Sequence, residues 1–491
     1  MYNAYITRIK NVRKHPNADK LQMGECFGNT VIVSMEYEDN QLGIYFPSDG
    51  QLSVEFAEGN NLLRKKDENG NNIGGYMDPE KRNVTAIRLR GEKSDGLFLP
   101  LKSLESFGDI SDLKEPMKIN NFNGHEICCK YIPRTNQRSG KPSSGNKTRK
   151  KKTPYAPLFT EHADTEQLAY NLGAFKPGDE IEITLKMHGT SQRTANLPVL
   201  KGYADSAYCQ LKNAWGKMWH ELFPKWIGYE EQHDGEPIYD CDYVTGTRRV
   251  VLEGYDGGFY GSNEFREQHA KVFEGKLYRG ETVYYEVVGF THTGAPIMAS
   301  ADNKKVNDKE FTKQYGKETV FSYGCKPNPK NLVVADPNVN EVVGVKIPLA
   351  PQSDIYVYRM TITNSEGFVV EYTPDFMRYR CEQMGVKTVP VLWKGFIGGD
   401  TCPYADECTA KECNVGECVK RIAEQYYEGP DPIGKTHIRE GVVVRILNRP
   451  KFCAYKHKNF HFKVLEGLVK DTAEAPDMEE AQDVQETTQN D

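Results

Sequence analysis

Alternation of polar and apolar residues with a period of two predicts β-strands at several places in the chain. Glu180–Leu185 alternates in this way and predicts a strand that ends directly before Lys186. Residues 30–34 and 41–46 show similar alternation, between Gly and Asn residues that are typical of turns. We therefore expect small antiparallel sheets near the N-terminus and a strand that carries Lys186 into a turn.

The turn after this strand has the sequence Lys186-Met187-His188-Gly189-Thr190. A lysine amine has a reference pKa of about 10.4, so it attacks a phosphate near neutral pH only when neighbouring cations favour the neutral form. A nucleophilic lysine here would therefore need a metal or a second lysine nearby. Gly189 would let the backbone turn close to a ligand. The Lys-x-x-Gly pattern alone is a weak signal, because it is short.

Further short motifs follow Lys186 along the chain. They are 247–249 (Thr-Arg-Arg), 284–289 (Tyr-Tyr-Glu-Val-Val-Gly), 354–358 (Asp-Ile-Tyr-Val-Tyr), 440–445 (Glu-Gly-Val-Val-Val-Arg) and 462–464 (Phe-Lys-Val). In this order they resemble the motif series of the covalent nucleotidyltransferases, meaning DNA ligases, RNA ligases and messenger RNA capping enzymes. The resemblance covers about residues 159–470, and it rests on the order of the motifs.

The resemblance implies an ATP site on three of these segments. Arg248 and Glu286 are expected to bind the ribose, and Tyr358 is expected to stack on the adenine. Arg249 is the alternative to Arg248 at the ribose, because adjacent residues point opposite ways on a strand and only one of the two can face the site. Tyr356 is the alternative to Tyr358 at the adenine. The alternative for Glu286 is an edge-strand carboxylate without a role in binding.

The resemblance also implies the phosphate chemistry. Lys186 is expected to attack the α-phosphate of ATP and form lysyl-AMP, while Lys463 and Mg²⁺ or Mn²⁺ offset the developing charge. Glu440 is expected to help bind the metal or its waters. The alternative for Glu440 is that it merely flanks the buried strand predicted over 442–446.

Three lysines near the last motif compete for the phosphate contact, namely Lys456, Lys458 and Lys463. We favour Lys463, because Phe460 and Phe462 alternate with polar residues there. A strand over this segment would place both phenylalanines in the core and turn Lys463 toward the nucleotide. The alternative for all three lysines is a basic strand that faces solvent.

Within the superfamily, Lys-x-His-Gly-Thr is similar to the RNA ligase 2 type, whereas DNA ligases typically carry Asp at the third position. The resemblance thus implies an ATP-dependent RNA ligase that joins a 3′-OH to a 5′-phosphate through lysyl-AMP and adenylylated RNA, in RNA repair. His188 is expected to act near the RNA phosphate after adenylylation. Ser191 departs from the Asn of many relatives, and a hydroxyl offers one donor where an amide offers two.

Two alternative functions remain at this stage. A DNA ligase or an RNA capping guanylyltransferase would share the core motifs, although the His-Gly-Thr triplet argues against a DNA ligase. A noncatalytic RNA-binding protein could keep the fold without the chemistry. The presence of Lys186 and Lys463 argues against that second alternative.

Two N-terminal segments, 15–21 (His-Pro-Asn-Ala-Asp-Lys-Leu) and 88–97 (Arg-Leu-Arg-Gly-Glu-Lys-Ser-Asp-Gly-Leu), resemble the transfer-RNA-binding type of OB-fold. The implied fold class is α+β, with an N-terminal OB-fold β-barrel followed by an antiparallel-sheet nucleotidyltransferase domain. This order is similar to that of the fifth RNA ligase family. OB-folds bind nucleic acid through a strand face and loops, so RNA is the expected partner. Alternatively, the barrel only packs against the core.

Composition and motifs together suggest domain boundaries. We expect an OB-fold domain over 1–133, a basic flexible linker over 134–154, a ligase domain over 155–470 and an acidic disordered tail over 471–491. The linker carries seven Lys or Arg and no acid between Arg138 and Lys152, which suits nonspecific phosphate binding or a plain tether. The net charge of −6 is unlike that of a dedicated nucleic-acid coat protein.

A Cys-rich insertion near 399–419 contains Cys402, Cys408, Cys413 and Cys418. Four thiolates so close in sequence could hold a structural Zn²⁺, and free thiols are the main alternative. Residues 1–13 are polar, and the sequence has no apolar stretch of 18 residues. We therefore expect a cytoplasmic protein without a membrane partner, and a monomer.

Overall fold

The computed structural model of the protein describes residues 2–48, 50–66, 72–131, 154–162, 165–223, 231–248, 250–252, 264–298, 303–327, 339–342, 345–348, 351–398, 404, 414–465 and 469–470. The architecture is mixed α/β and is built mainly on antiparallel sheets. Among the described residues, no helix combines the length and hydrophobicity needed to cross a membrane.

The N-terminal part consists of short strands around one α-helix and one 3₁₀ helix. The strands are β1 Ala4–Arg8, β2 Lys10–Lys14, β3 Leu21–Cys26, β4 Asn29–Ser34, β5 Leu42–Phe46, β6 Gly50–Leu52, β7 Lys65–Lys66, β8 Asn72–Gly74, β9 Asn83–Val84, β10 Ala86–Leu89, β11 Glu92–Ser94, β12 Leu97–Pro100, β13 Met117–Ile119, β14 Asn121–Phe122, β15 His125–Glu126 and β16 Cys128–Lys130. The helices are α1 Val54–Gly59 and the 3₁₀ helix Leu101–Phe107.

These strands form several small sheets, with the orders β12-β5-β1-β13, β2-β3-β4 and β16-β6-β9 as the largest that lie wholly within this part. None of these strand orders closes on itself over the described residues. The strands predicted over 30–34 and 41–46 are confirmed, whereas the closed OB-fold barrel stays a prediction. The apolar side chains of the strands, such as Ile6, Ile44 and Phe46, are buried together against Phe56 of α1.

The remaining elements belong mostly to two larger sheets. The strands are β17 Glu166–Gln167, β18 Glu180–Leu185, β19 Thr190–Tyr203, β20 Pro237–Gly246, β21 Val251–Leu252, β22 Glu281–Gly289, β23 Val339–Val342, β24 Val345–Pro348, β25 Ser353–Thr363, β26 Val369–Glu371, β27 Lys387–Thr388, β28 Val391–Phe396, β29 Gly441–Ile446, β30 Ala454–Lys458 and β31 Val469–Lys470. The helices are α2 Ala207–Leu222, α3 Glu264–Lys271, α4 Lys309–Tyr315, α5 Pro374–Met384, α6 Val415–Glu424 and α7 Phe460–Leu465, with 3₁₀ helices at Leu168–Tyr170, Leu172–Ala174 and Asn303–Lys305.

One sheet has the order β17-β30-β29-β18-β28, and the other has the order β21-β20-β19-β22-β25-β26 with β27 beside β25. Strands β18 and β19 are consecutive in the chain but lie in different sheets. The turn 186–189 therefore joins the two sheets. The strands predicted for the motif segments 284–289, 354–358 and 442–446 all lie within observed strands.

The N-terminal part packs directly on the larger sheets. Strand β31 pairs in parallel with β10, which places Ala86 opposite Val469. Ala86 also shares a buried cluster with Met187, in the turn after β18, and with Leu465 of α7. This buried apolar cluster therefore includes residues from both parts.

The buried ion pair between Glu281 and Arg380 should be important for stability. The two side chains are almost completely buried, and Arg380 Nη2 lies 2.8 Å from Glu281 Oε2. Removing one partner of such a pair leaves an uncompensated buried charge. We expect Glu281→Ala to lower the free energy of unfolding by about 3 kcal/mol in urea titrations. The exposed i,i+4 pair Glu267–Lys271 provides the control. Glu267→Ala should lower the free energy of unfolding by less than about 0.5 kcal/mol. Equal losses for the two variants would contradict this view.

Candidate active site

Lys186 lies at the end of β18, in the turn between the two sheets. Its backbone N–H donates to Gly441 O at 3.0 Å, so the chain just after β18 stays aligned with the start of β29. Its side-chain Nζ lies 2.7 Å from Glu440 Oε1 and is partly exposed. The neighbouring strands β18 and β29 thus place the two motif residues in direct contact.

Glu440 is the centre of the charged groups around Lys186. The side chain is 2% exposed, and Oε1 also lies 3.2 Å from Lys458 Nζ. Its second oxygen, Oε2, lies 3.5 Å from His188 Nδ1. Burial opposes ionisation of Glu440, but Lys186, Lys458 and His188 outweigh it and hold the pKa of this carboxyl well below its usual value. Glu440 is therefore an ionised carboxylate that two lysines share.

Gly441 explains how Lys458 comes so close. It stands opposite Lys458 in the β29–β30 ladder, and its φ of 147° lies in a region that L side chains rarely adopt. A Cβ on Gly441 would lie 2.1 Å from His457 O, so only glycine fits at this position. The backbone thus requires the glycine that follows Glu440 in the motif.

His188 is held by aromatic neighbours. Its backbone N–H donates to Tyr323 OH at 2.7 Å. Its ring makes edge contacts with Phe321 and Phe462, at centroid distances of 4.7 and 4.9 Å. The ring is therefore oriented by packing, with one nitrogen facing Glu440.

Glu286 approaches the site from the other sheet. It lies in β22, opposite Ser191 of β19 and Tyr356 of β25. A Cβ on Gly189 would lie 2.9 Å from Glu286 Cγ, so this glycine permits the close approach of the turn to the carboxyl. Burial raises the pKa of Glu286 to about 7, although Lys186 lowers it, and the nearby charge of Glu440 raises it further.

The two candidate tyrosines differ in their contacts. The β22–β25 register passes from Arg359 to Val357 and leaves Tyr358 without a partner, which is a β-bulge. Tyr358 OH lies 2.9 Å from Ser191 Oγ, and burial together with the nearby charge of Glu286 raises the pKa of this hydroxyl. Tyr356 instead places its hydroxyl 3.4 Å from Asp354 Oδ2. The bulge thus turns Tyr358 toward the candidate site.

Arg248 is exposed and close enough to Glu286 for its charge to lower the pKa of that carboxyl. Arg249 lies outside the described residues, so the choice between the two arginines stays a prediction. Cys402, Cys408 and Cys413 also lie outside the described residues, as do 134–153 and the tail 471–491. The fourth candidate zinc ligand, Cys418, is buried in α6 among Val419 and other apolar residues.

The strand predicted over residues 460–463 is wrong, because this segment forms α7. The Asn459 side chain accepts from Phe462 N–H at 2.7 Å and caps the helix, which the alternation of apolar residues did not indicate. Lys463 Nζ consequently lies 2.5 Å from Asp95 Oδ2 in the N-terminal part. Lys458, rather than Lys463, contacts the Lys186–Glu440 pair.

Sequence reasoning missed Arg266, which is buried in α3 behind the turn. Its guanidinium donates to Thr190 Oγ1 at 2.6 Å and to Ser191 O at 3.4 Å. The Gln192 side chain in turn donates to Arg266 O at 2.8 Å. Arg266 thus holds the first residues of β19 directly after Gly189. No motif in the sequence indicated this, because the contact is formed by tertiary packing.

A basic cleft of about 90 Å³ lies where the N-terminal part meets β30 and α7. Its lining includes polar groups of the N-terminal part and four lysines: Asn29, Ser48, Lys130, Lys456, Lys458 and Lys463. Lys458 belongs to this lining and also contacts Glu440. Lys458 therefore borders both the cleft and the Lys186–Glu440 pair, and the charge of the cleft suits an anion.

The raised pKa of Glu286 gives a prediction about stability. A carboxyl whose pKa is about 7 in the folded protein and about 4.5 when unfolded makes the protein less stable as pH rises between these values. We expect Glu286→Gln, without nucleotide, to gain about 2 kcal/mol over the wild type between pH 5 and pH 8, measured by urea unfolding. The exposed Glu105→Gln should show no such trend. A constant difference between Glu286→Gln and wild type across this range would contradict the assignment.

No protein-family model matches this chain, and no curated protein matches it. The chain is similar to solved structures of an RNA ligase from Naegleria gruberi. One is a variant with ATP and Mn, at 14% identity and a TM-score of 0.49, with 93% of this chain and 96% of that chain covered. Another is the same ligase with PPi, at 14% identity, a TM-score of 0.48 and the same coverage. A further variant with ATP and Mn matches over 95% of this chain and 98% of that chain, at 14% identity and a TM-score of 0.48.

Proposed function

We propose that this protein is an ATP-dependent RNA ligase that joins a 3′-OH to a 5′-phosphate in RNA repair. The observation that carries the proposal is the contact of Lys186 with Glu440, shared with Lys458, in the turn between two antiparallel sheets. Residues from distant motifs meet at this one turn. The neighbouring solved structures, named as RNA ligases, are consistent with this proposal.

In the first step, the neutral amine of Lys186 attacks the α-phosphate of ATP. A bond forms between Nζ and the phosphorus, the bond to the bridging oxygen breaks with its electron pair, pyrophosphate leaves, and Nζ loses one proton to solvent. Glu440 orients the amine through its 2.7 Å contact. Lys458, which shares Glu440, lies close enough to offset charge on the α-phosphate. The basic cleft suits the departing pyrophosphate, because Lys458 and three other lysines line it and offer positive charge to the anion.

The donor set also fits a divalent cation. Glu440 Oε2 is buried and has no hydrogen-bond partner among the described residues. Carboxylate oxygens are the ligands that Mg²⁺ and Mn²⁺ accept, so this oxygen could hold such an ion or one of its waters. A bound ion would supply positive charge beside the α-phosphate.

The nucleoside half of ATP would lie between β19, β22 and β25. The Glu286 carboxylate can accept hydrogen bonds from the ribose hydroxyls, and Arg248 lies near it. Tyr358 offers a ring for the adenine, since the bulge turns it to this side. After adenylylation, AMP passes to the RNA 5′-phosphate, and a 3′-OH then displaces AMP. His188 faces the same carboxylate as Lys186 and is placed to act in these later steps.

The first functional prediction concerns the nucleophile. Lys186→Ala should abolish the protein-bound label formed with α-labelled ATP and Mg²⁺, and should abolish sealing of RNA with an ordinary 5′-phosphate. Pre-adenylylated RNA should restore part of the sealing, because it bypasses the covalent intermediate. Excess GTP should leave the wild-type label unchanged, which excludes capping. A label that persists in Lys186→Ala would show that another residue is the nucleophile.

The second prediction separates the lysines near the last motif. Lys458→Ala should slow adenylylation by roughly 10²–10³-fold, because it removes charge placed beside the reacting phosphate. Lys463→Ala should slow it by tenfold or less at saturating ATP, since Lys463 contacts Asp95 rather than Glu440. Asp95→Asn should behave like Lys463→Ala, because the two residues form one pair. An active Lys458→Ala beside an inactive Lys463→Ala would restore the assignment made from the sequence.

A further inference from the structure

Helix α2 carries an apolar stripe on its exposed side. Five residues spaced alternately by three and four positions are each 44–77% exposed: Tyr208, Leu211, Trp215, Met218 and Leu222. This alternation is the spacing of a coiled-coil seam, in which residues three and four apart line one side of a helix. A helix of a globular domain normally turns such a stripe to its own core.

The opposite, polar side of α2 faces the rest of the chain. Cys209 and Asn213 are the buried residues of the helix. Asn213 Nδ2 donates to Gln232 O at 2.6 Å, and Cys209 Sγ donates to the same carbonyl at 3.1 Å. Within the described part of the chain, α2 is therefore attached by hydrogen bonds and presents its apolar side outward.

The attachment of α2 is well ordered by polar contacts at its first turn. Ser206 caps the helix by accepting from Cys209 N–H, and its hydroxyl donates to Asp234 at 2.5 Å. Asp205 accepts from the backbone of Asp234 and Gly235, so both ends of the connection between β19 and β20 are tied together. The stripe therefore has a defined orientation on the β19–β20 hairpin.

The size of the apolar surface suits an interface. Trp219 and Phe223 extend it, with their rings stacked at 5.8 Å. Aromatic side chains bury about 150–250 Å² each, so the four aromatics of this surface leave roughly 400 Å² uncovered before the aliphatic residues are added. Patches of this size mark interaction sites, and a stable interface takes about 800 Å² from each partner.

We propose that the α2 stripe pairs with the α2 stripe of a second copy of this chain and forms a homodimer. The stripe is close to symmetric about Trp215, with Tyr208 and Leu222 seven residues away on either side. An antiparallel pair around a two-fold axis near Trp215 brings both ends of the seam into contact. The surface is small for a dimer, so the association is reversible, with a Kd on the order of micromolar. This inference is independent of the ligase function and replaces the monomer expected from the sequence.

The composition of the stripe favours a protein helix over RNA. Leu211, Met218 and Leu222 have no flat face on which a base can stack. Lys212, which flanks the stripe, is hydrogen-bonded to Gln232 Oε1 at 3.1 Å. Leu211, Met218 and Leu222 thus interrupt the aromatic rings, so the stripe is not a continuous stacking surface for single-stranded RNA.

Sedimentation equilibrium of the full chain from about 1 to 100 µM tests the proposal. We expect a monomer–dimer equilibrium that Trp215→Glu and Leu211→Glu each weaken at least 100-fold in Kd. Phe368→Glu is the matched control, because Phe368 is also exposed, at 67%, but lies away from α2 before β26, and it should leave the Kd unchanged. Circular dichroism of each variant verifies that it is folded.

A second variant tests the geometry. Trp215→Cys should give a disulfide-linked dimer on mild oxidation with copper–phenanthroline, whereas wild type and Phe368→Cys should not, because only the two-fold seam places the two positions together. A wild type that stays monomeric at 100 µM would overturn the proposal, as would a dimer that both α2 variants leave intact. Loss of RNA binding in Trp215→Glu together with a monomeric wild type would assign the surface to RNA instead.

Discussion

The buried carboxylate of Glu440 imposes the strictest constraint on this structure. A carboxylate that is nearly excluded from water is stable only when cations and hydrogen-bond donors surround it. Lys186 and Lys458 provide the charges, and His188 faces the second oxygen. These groups come from three separate segments, and the register of β18, β29 and β30 brings them to one carboxylate. Gly441 makes this register sterically possible.

The pKa values of the two carboxyls in the candidate site are shifted in opposite directions. The pKa of Glu440 is held below its usual value because the two lysines outweigh burial, whereas burial raises the pKa of Glu286 to about 7. One group thus stays ionised while the other titrates near neutral pH. Such divergent pairs are typical of sites where two carboxyls have different tasks. Here Glu440 is suited to hold cations. Glu286 can be neutral or ionised near neutral pH, and it is suited to form hydrogen bonds with a ligand.

The N-terminal part is joined to this site rather than tethered to it. Its two motif segments contact each other, since His15 Nε2 lies 3.2 Å from Leu89 O and Asn17 Nδ2 donates to Arg90 O at 2.8 Å. Asp95, at the end of the second segment, then pairs with Lys463 of α7. Residues that resembled an RNA-binding module therefore stabilise their own fold and its contact with the larger sheets.

The sequence alone determined those features that depend on local pattern and on motif order. It predicted the strand that ends directly before Lys186 and the strands around Glu286 and Tyr358. Tertiary structure decided which lysine contacts Glu440. The short run 460–463, with its alternating apolar residues, fits a strand or a capped helix equally well. In addition, the partner of a strand depends on residues that are distant in the sequence. Tertiary structure also decided the bulge that turns Tyr358, the position of Arg266 and the outward stripe of α2. Each of these results from packing between segments far apart in the chain, where local periodicity carries no information.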